Sequence, residues 1–213
     1  MSALRIWGRA TSANVQRVLW MAQEIGLDYE RIDAGGAFGI VNDPAYRALN
    51  PNGLVPTIDD NGFVLWESNT ICRYLADQHG ALTLYPRQAH SRARVEQWMD
   101  WGNTGLAPAI TPVFWQLIRT PADKRDRAAI EASAARTESA MRVLDERLQD
   151  RPFLCGDALT LADITCGINT YRWLNMDLAS VGHERAPVAA VRAWYERLTQ
   201  RAAYRTAVMI PIT

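Results

Sequence analysis

The sequence predicts an α/β half followed by an all-helical half, and three observations carry that expectation. Strand-like and helix-like apolar patterns alternate through roughly the first 80 residues, which is how an α/β unit reads. Asp60-Asn61-Gly62 stands between two short apolar runs, the strongest short-range signal for a hairpin. After His90 the strand patterns vanish and only helical ones follow.

Taken in order, Leu4 to Gly8 reads as a short strand ending at a glycine. From Asn14 the apolar positions Val15, Val18, Leu19, Ala22 and Ile25 recur at three and four, a helical stripe closed by Gly26. Tyr29 to Asp33 alternates as a strand does, and Ala34 to Val41, with Gly35, Gly36 and Gly39, reads as loop. Asp43-Pro44 starts a short helix, because proline at the first helical position gives up no needed donor. Val55 to Asp59 and Phe63 to Trp66 form the hairpin, and a third helix runs from about Glu67 to His79. The order β-α-β-α-β-β-α, with its first two strands parallel across a helix, is that of a thioredoxin-like domain.

Ala81 to Ala89, broken by Pro86, reads as a linker. Beyond it, Arg92 to Trp101 is helical, and Pro108 and Pro112 kink or interrupt the following stretch. Thr120-Pro121-Ala122-Asp123 opens a long helix that runs to about Asp150 and stops before Pro152. Further helices span about Leu161 to Leu174 and Pro187 to Gln200. The expected organisation is a thioredoxin-like unit over residues 1–80, a linker over 81–89 and an all-α unit over 90–213.

Composition narrows the function classes. Apolar residues make up 48% and charged residues 22%, as in soluble globular proteins. The 23 basic and 23 acidic side chains cancel, so no net field draws in nucleic acid or an anionic membrane. No apolar run approaches the ~18 residues of a membrane span, and Met1 to Trp7 shows no secretory leader. Cys72, Cys155 and Cys166 are too scattered for a disulfide framework or a zinc site, which points to a reduced, cytoplasmic protein with no metal.

Three segments could carry chemistry. The turn Arg9-Ala10-Thr11-Ser12-Ala13-Asn14 leads from the first strand into the first helix. It holds two hydroxyls and an amide at the positive end of a helix dipole and has no cysteine of its own. Such donors suit a thiolate supplied by another molecule, whereas the simpler alternative makes Ser12 a helix cap. Val55-Pro56 opens an interior strand, where proline cannot donate. A cis bond would turn the Val55 backbone outward to pair with an extended peptide, and a trans bond at a sheet edge is the plainer alternative. Glu67-Ser68-Asn69 begins the third helix. Ser68 can bind a carboxylate and Glu67 an ammonium, the two charges of an amino-acid head group; a plain capped helix is the alternative.

The order and spacing of these features resemble the cytosolic glutathione transferase family over nearly the whole chain, in a serine-type, theta- or zeta-like bacterial form. Thr160-Leu161-Ala162-Asp163 resembles that family's N-capping box, in which the hydroxyl and the carboxylate each cap a backbone N–H. The resemblance implies a transferase with glutathione as co-substrate and no separate cofactor. It makes Ser12 the residue that activates the thiol. Asn14, Val55, Glu67 and Ser68 would be the tripeptide's contacts, and the partners an apolar electrophile and a second copy of the chain. No tyrosine precedes Tyr29, so the family's tyrosine-type site is absent. Leu54 stands where relatives carry a basic residue for the glycyl carboxylate, and the Phe38 to Val41 loop is the substitute by backbone. Phe114 and Trp115, which follow Pro112, are candidates to line the electrophile pocket, with Arg119 at its rim. Trp98, Trp101, Tyr171 and Trp173 are the other aromatics that the helical half brings toward it.

The energetics of such a site are modest. A free thiol with a pKa of about 8.5 is only about 3% ionised at pH 7, and lowering it by two units takes about 2.7 kcal/mol. One charge-assisted hydrogen bond with help from a helix dipole is of that size. Two other functions share the fold expectation, a non-catalytic interaction module and a glutathione-dependent isomerase or peroxidase. Ser12 together with Glu67 and Ser68 favours the transferase.

Overall fold

The computed structural model describes residues 4–213. The first three residues of the expected N-terminal unit, which also begin the segment read as free of a leader, lie outside the described residues. β1 (Leu4–Trp7), α1 (Ala13–Glu24), β2 (Tyr29–Ile32), α2 (Pro44–Leu49), β3 (Thr57–Asp60), β4 (Phe63–Trp66) and α3 (Ser68–Gln78) follow the predicted order. The sheet order is β2-β1-β3-β4, with β1 parallel to β2 and antiparallel to β3, and β3 antiparallel to β4. The register pairs Ile6 with Ile58, both fully buried at the centre of the sheet. Asn61 at φ 55° and Gly62 at φ 91° make the hairpin turn, where only residues tolerant of positive φ fit. Glycines 35, 36 and 39 surround one short 3₁₀ turn, Gly36–Phe38, inside the predicted loop.

The second half is helical: α4 (Ala89–Trp101), α5 (Ala107–Phe114), α6 (Arg127–Leu148), α7 (Leu161–Asn175), α8 (Ala189–Thr199) and α9 (Ala202–Ala207). Two helix starts differ from expectation by three residues or more. α4 begins at Ala89, inside the predicted linker, because the Gln88 side chain caps it by accepting from the Ser91 N–H at 2.7 Å. The long helix begins at Arg127 and not at Thr120-Pro121, because Asp126 takes the cap position and accepts from the Ala129 N–H at 3.0 Å. α9 was not foreseen; it is too short for periodicity to reveal. Around the two prolines, the helix widens into π turns at Gly102–Leu106 and Trp115–Arg119 on either side of α5.

The Asp163 carboxylate accepts from the Thr160 N–H at 2.9 Å, as the capping box predicts. The reciprocal half is present too, the Thr160 side chain accepting from the Asp163 N–H; that hydroxyl also donates to the carboxylate at 3.0 Å, and the Leu154 N–H and Trp194 indole N–H fill its other oxygen. A fully buried carboxylate needs these four donors. One apolar core joins both halves: Trp20 of α1 meets Tyr204 of α9 edge-on at 4.7 Å. Asn69 of α3 joins them too, donating to the Met99 carbonyl and accepting from Thr165. Among the described residues no helix is long and apolar enough to cross a membrane, and no group of three or more His, Cys, Asp or Glu could hold a metal.

Candidate active site

The turn after β1 delivers the first group. Gly8 and Arg9 continue the sheet by donating to the Ile32 and Ala34 carbonyls, and the chain then folds into α1. Ser12 occupies the helix's N-cap position, yet its side chain makes no capping bond. The residue is 9% exposed and its hydroxyl has no hydrogen-bond partner among the described residues, so capping does not explain it. It faces a cleft of about 230 Å³ between the halves of the molecule.

The second group is the loop before β3. The Val55–Pro56 bond is cis. Neither backbone group of Val55 is paired within the described chain, while its neighbours are held firmly. The Leu54 carbonyl accepts from the Tyr46 hydroxyl at 2.6 Å and from Asn50 Nδ2 at 2.9 Å, and both donors also reach the Thr57 hydroxyl. Burial pushes the Tyr46 phenol above its ordinary pKa, so it stays a neutral donor. Sequence reasoning missed Asn50 and Tyr46. Asn50 is 2% exposed, and the Asn-Pro-Asn-Gly run was the only signal that could have found it.

The third group is the start of α3. Glu67 sits at φ 73°, the left-handed region that non-glycine residues avoid, and strain of about 1–3 kcal/mol of this kind gathers at functional sites. Ser68 is buried, and its hydroxyl accepts from Arg17 Nη1 at 2.7 Å. Arg17 also donates to Asn103 at 3.0 Å. It is 1% exposed, has no ion pair among the described residues, and its Nε has no partner. Burial lowers its pKa, with partial relief from the charge of Glu67.

These groups fall into two clefts. Asn14, Val55, Glu67 and Ser68 come together in a narrow one, beside Asn50, Asn52 and Leu54. Ser12, Phe114, Trp115 and Arg119 line the wider one, and Asn14 borders both. Nothing from the Phe38 to Val41 loop lines either cleft. Of the other aromatics expected near the pocket, none lines the wider cleft. Trp98 stacks edge-on against Trp101 at 5.2 Å, Tyr171 donates to the Ile210 carbonyl, and Trp173 is 1% exposed in the core. Unforeseen are Arg9, Arg17 and Arg172 on the wider cleft's wall. Arg172 of α7 donates to the Thr11 carbonyl at 2.8 Å, a contact that spans the chain and leaves no local signal.

Comparison with known proteins fits this geometry. The chain is 40% identical over 212 residues to Glutathione S-transferase GstB of Escherichia coli (strain K12), covering 99% of this chain and 100% of the relative. The chain belongs to the glutathione S-transferase family. Residues 11–78 match the family's N-terminal domain and residues 106–202 its C-terminal domain. Glutathione S-transferase 3 of Zea mays is 31% identical, covering 100% of this chain and 96% of the maize one. The crystal structure of the theta class glutathione S-transferase from Xanthomonas axonopodis pv. citri with glutathione bound superposes with a TM-score of 0.94 at 43% identity, covering 100% of both chains. That of glutathione transferase F7 from Populus trichocarpa gives a TM-score of 0.84 at 26% identity, covering 97% of this chain and 98% of the other. In this glutathione S-transferase the serine turn, the cis-proline loop and the Glu67-Ser68 corner all converge on the paired clefts.

Proposed function

We propose that this glutathione transferase holds glutathione along the narrow cleft and presents its thiol to Ser12 at the mouth of the wider one. The γ-glutamyl carboxylate meets the Ser68 hydroxyl and N–H, and the ammonium meets Glu67. The unpaired N–H and C=O of Val55 take up the cysteinyl backbone as a strand would. Asn14, common to both clefts, contacts the tripeptide where it crosses. Glutathione is the co-substrate and no separate cofactor enters the reading.

The observation that carries this reading is the Ser12 hydroxyl, buried, unbonded and not used as a cap. A neutral hydroxyl donating to sulfur favours the thiolate, and the first turn of α1 adds its dipole. The thiolate then attacks the electrophile: a carbon–sulfur bond forms, and the leaving group departs with its electron pair or the addition is completed by a proton from water. A scaffold with no catalysis has no use for such a hydroxyl, which favours the enzyme over an interaction module. The test is calorimetric titration with glutathione followed by turnover of a chlorinated nitroarene. Absence of binding at millimolar glutathione would refute the reading.

We also place the division between the glutathione-binding and electrophile-binding units across residues 81–89 and expect a homodimer, in the cytoplasm, where its three free cysteines stay reduced. Light scattering that gives a monomer at micromolar concentration would overturn the dimer.

A further inference from the structure

The wall of the wider cleft is unusual in its charge. Arg9, Arg17, Arg119 and Arg172 all line it, and no aspartate or glutamate does. None of the four is in an ion pair among the described residues, whereas Arg5, Arg31, Arg73, Arg92 and Arg201 elsewhere each hold a carboxylate. Two buried donors on the same wall also lack partners among the described residues, Arg17 Nε and Asn169 Nδ2. Buried polar groups are nearly always satisfied, so a wall of unpaired donors points to a ligand that supplies acceptors.

The arrangement of Arg119 and Arg172 defines the position. Their guanidinium carbons stand 5.4 and 4.5 Å from the centre of the same Phe114 ring, and Arg119 also stands 4.8 Å from the centre of the Trp115 ring. Among the described residues the only hydrogen bonds they make are single ones, Arg172 to the Thr11 carbonyl and Arg119 to the Thr213 oxygen at 3.3 Å. Each guanidinium therefore keeps donors to spare. Glutathione does not use them up. Its thiolate brings one negative charge to Ser12, and its γ-glutamyl carboxylate belongs to Ser68 in the neighbouring narrow cleft.

Resting on the transferase reading, we propose that the electrophile of this enzyme carries an acidic group. A carboxylate on a small apolar body binds between Arg172 and Arg119 at the Phe114 face, with its reactive carbon toward Ser12. Ile110, Phe114 and Trp115 supply the apolar floor for that body. At about 230 Å³ the cleft is smaller than the ~300–1,000 Å³ of sites for drug-sized ligands, so the body is no more than one ring or a short chain. Arginine suits the role because its planar fork matches a carboxylate and stacks on an aromatic face.

The test separates this proposal from the reading beneath it. Calorimetry with S-methylglutathione first establishes that the narrow cleft is filled; failure there sinks the transferase reading itself. The loaded enzyme is then titrated with benzoate and with benzamide, a neutral molecule of the same shape. Benzoate is expected to bind at least about tenfold more tightly, the value of one added charge-assisted hydrogen bond. In turnover, 4-chloro-3-nitrobenzoate and 4-chloro-3-nitrobenzamide each lose chloride as the carbon–sulfur bond forms. Their kcat/KM ratio, corrected for the uncatalysed rates, is expected to favour the acid and to fall toward one in Arg172→Met. Arg119→Met, at an exposed position, gives the same reading if Arg172→Met does not fold. Equal binding of benzoate and benzamide, binding of neither, or an acid-to-amide ratio unmoved in Arg119→Met would overturn the proposal.

Discussion

Arg17 donates to the Ser68 hydroxyl at 2.7 Å from a guanidinium almost wholly removed from water. The bond occupies a lone pair of the serine oxygen and leaves its proton free to point into the narrow cleft. A buried cation thus sets the direction of a neutral donor.

Replacing Ser68 by alanine removes that donor and should weaken glutathione by about 1.5–3 kcal/mol, the range for a hydrogen bond to a charged group. Ser68→Thr keeps the hydroxyl and should lose less. Calorimetry on both variants checks it; equal dissociation constants for wild type and Ser68→Ala would place the γ-glutamyl group elsewhere.

Ser12→Ala should raise the pKa of bound glutathione by about one to two units, with affinity for the tripeptide little changed. A raised thiol pKa means less thiolate at neutral pH, so turnover there should fall about tenfold or more and recover in part as pH rises. Ultraviolet titration of the bound thiolate in Ser12→Ala, Thr11→Ala and Asn14→Ala identifies the donor. A shift confined to Asn14→Ala would remove Ser12 from the catalytic role.

Asn50→Ala should damage the fold and the site together. It deletes the donor shared by the Leu54 carbonyl and the Thr57 hydroxyl, leaving buried acceptors underfilled at a cost of about 1–3 kcal/mol. Thermal unfolding should show the loss of stability and calorimetry a weaker grip on glutathione, because the loop that presents Val55 loosens. An unchanged midpoint and affinity would show that Tyr46 alone holds the loop.

Benzoate binding should hold level from about pH 6 to 9. Burial, and then the charges of Arg119, Arg9 and Arg17, push Arg172 down to about 10, which is still above that window. A cation gives its attraction below its pKa and loses it as pH rises through that value, so affinity should decline only past about pH 10. A decline centred near pH 7, read by calorimetry, would assign the anion to a histidine instead.

Much of this was legible in the chain because it is local. The 3.6-residue stripe of α1, the Asn-Gly turn, and Val55-Pro56 each declare themselves within a few residues, and the narrow cleft collects residues that those motifs name. The wider cleft was legible in Ser12, Asn14, Phe114, Trp115 and Arg119 but not in its other arginines. Arg17 lies inside the apolar stripe of α1, where a sequence alone cannot tell a buried cation from one that snorkels to solvent. Arg172 meets the active turn from α7, far along the chain, and no spacing rule links two such positions. The late start of the long helix is a contest between two cap candidates, Thr120 and Asp126, which Asp126 wins by accepting from the Ala129 N–H.

The bond from Arg172 to the Thr11 carbonyl ties the choice of electrophile to the setting of the thiol. Exchanging the helical half for that of a relative, to trade one substrate range for another, would also exchange the clamp on the serine turn. Hybrid enzymes made at the boundary between the halves should therefore need a matched pair of residues, one from each parent side, before they recover speed.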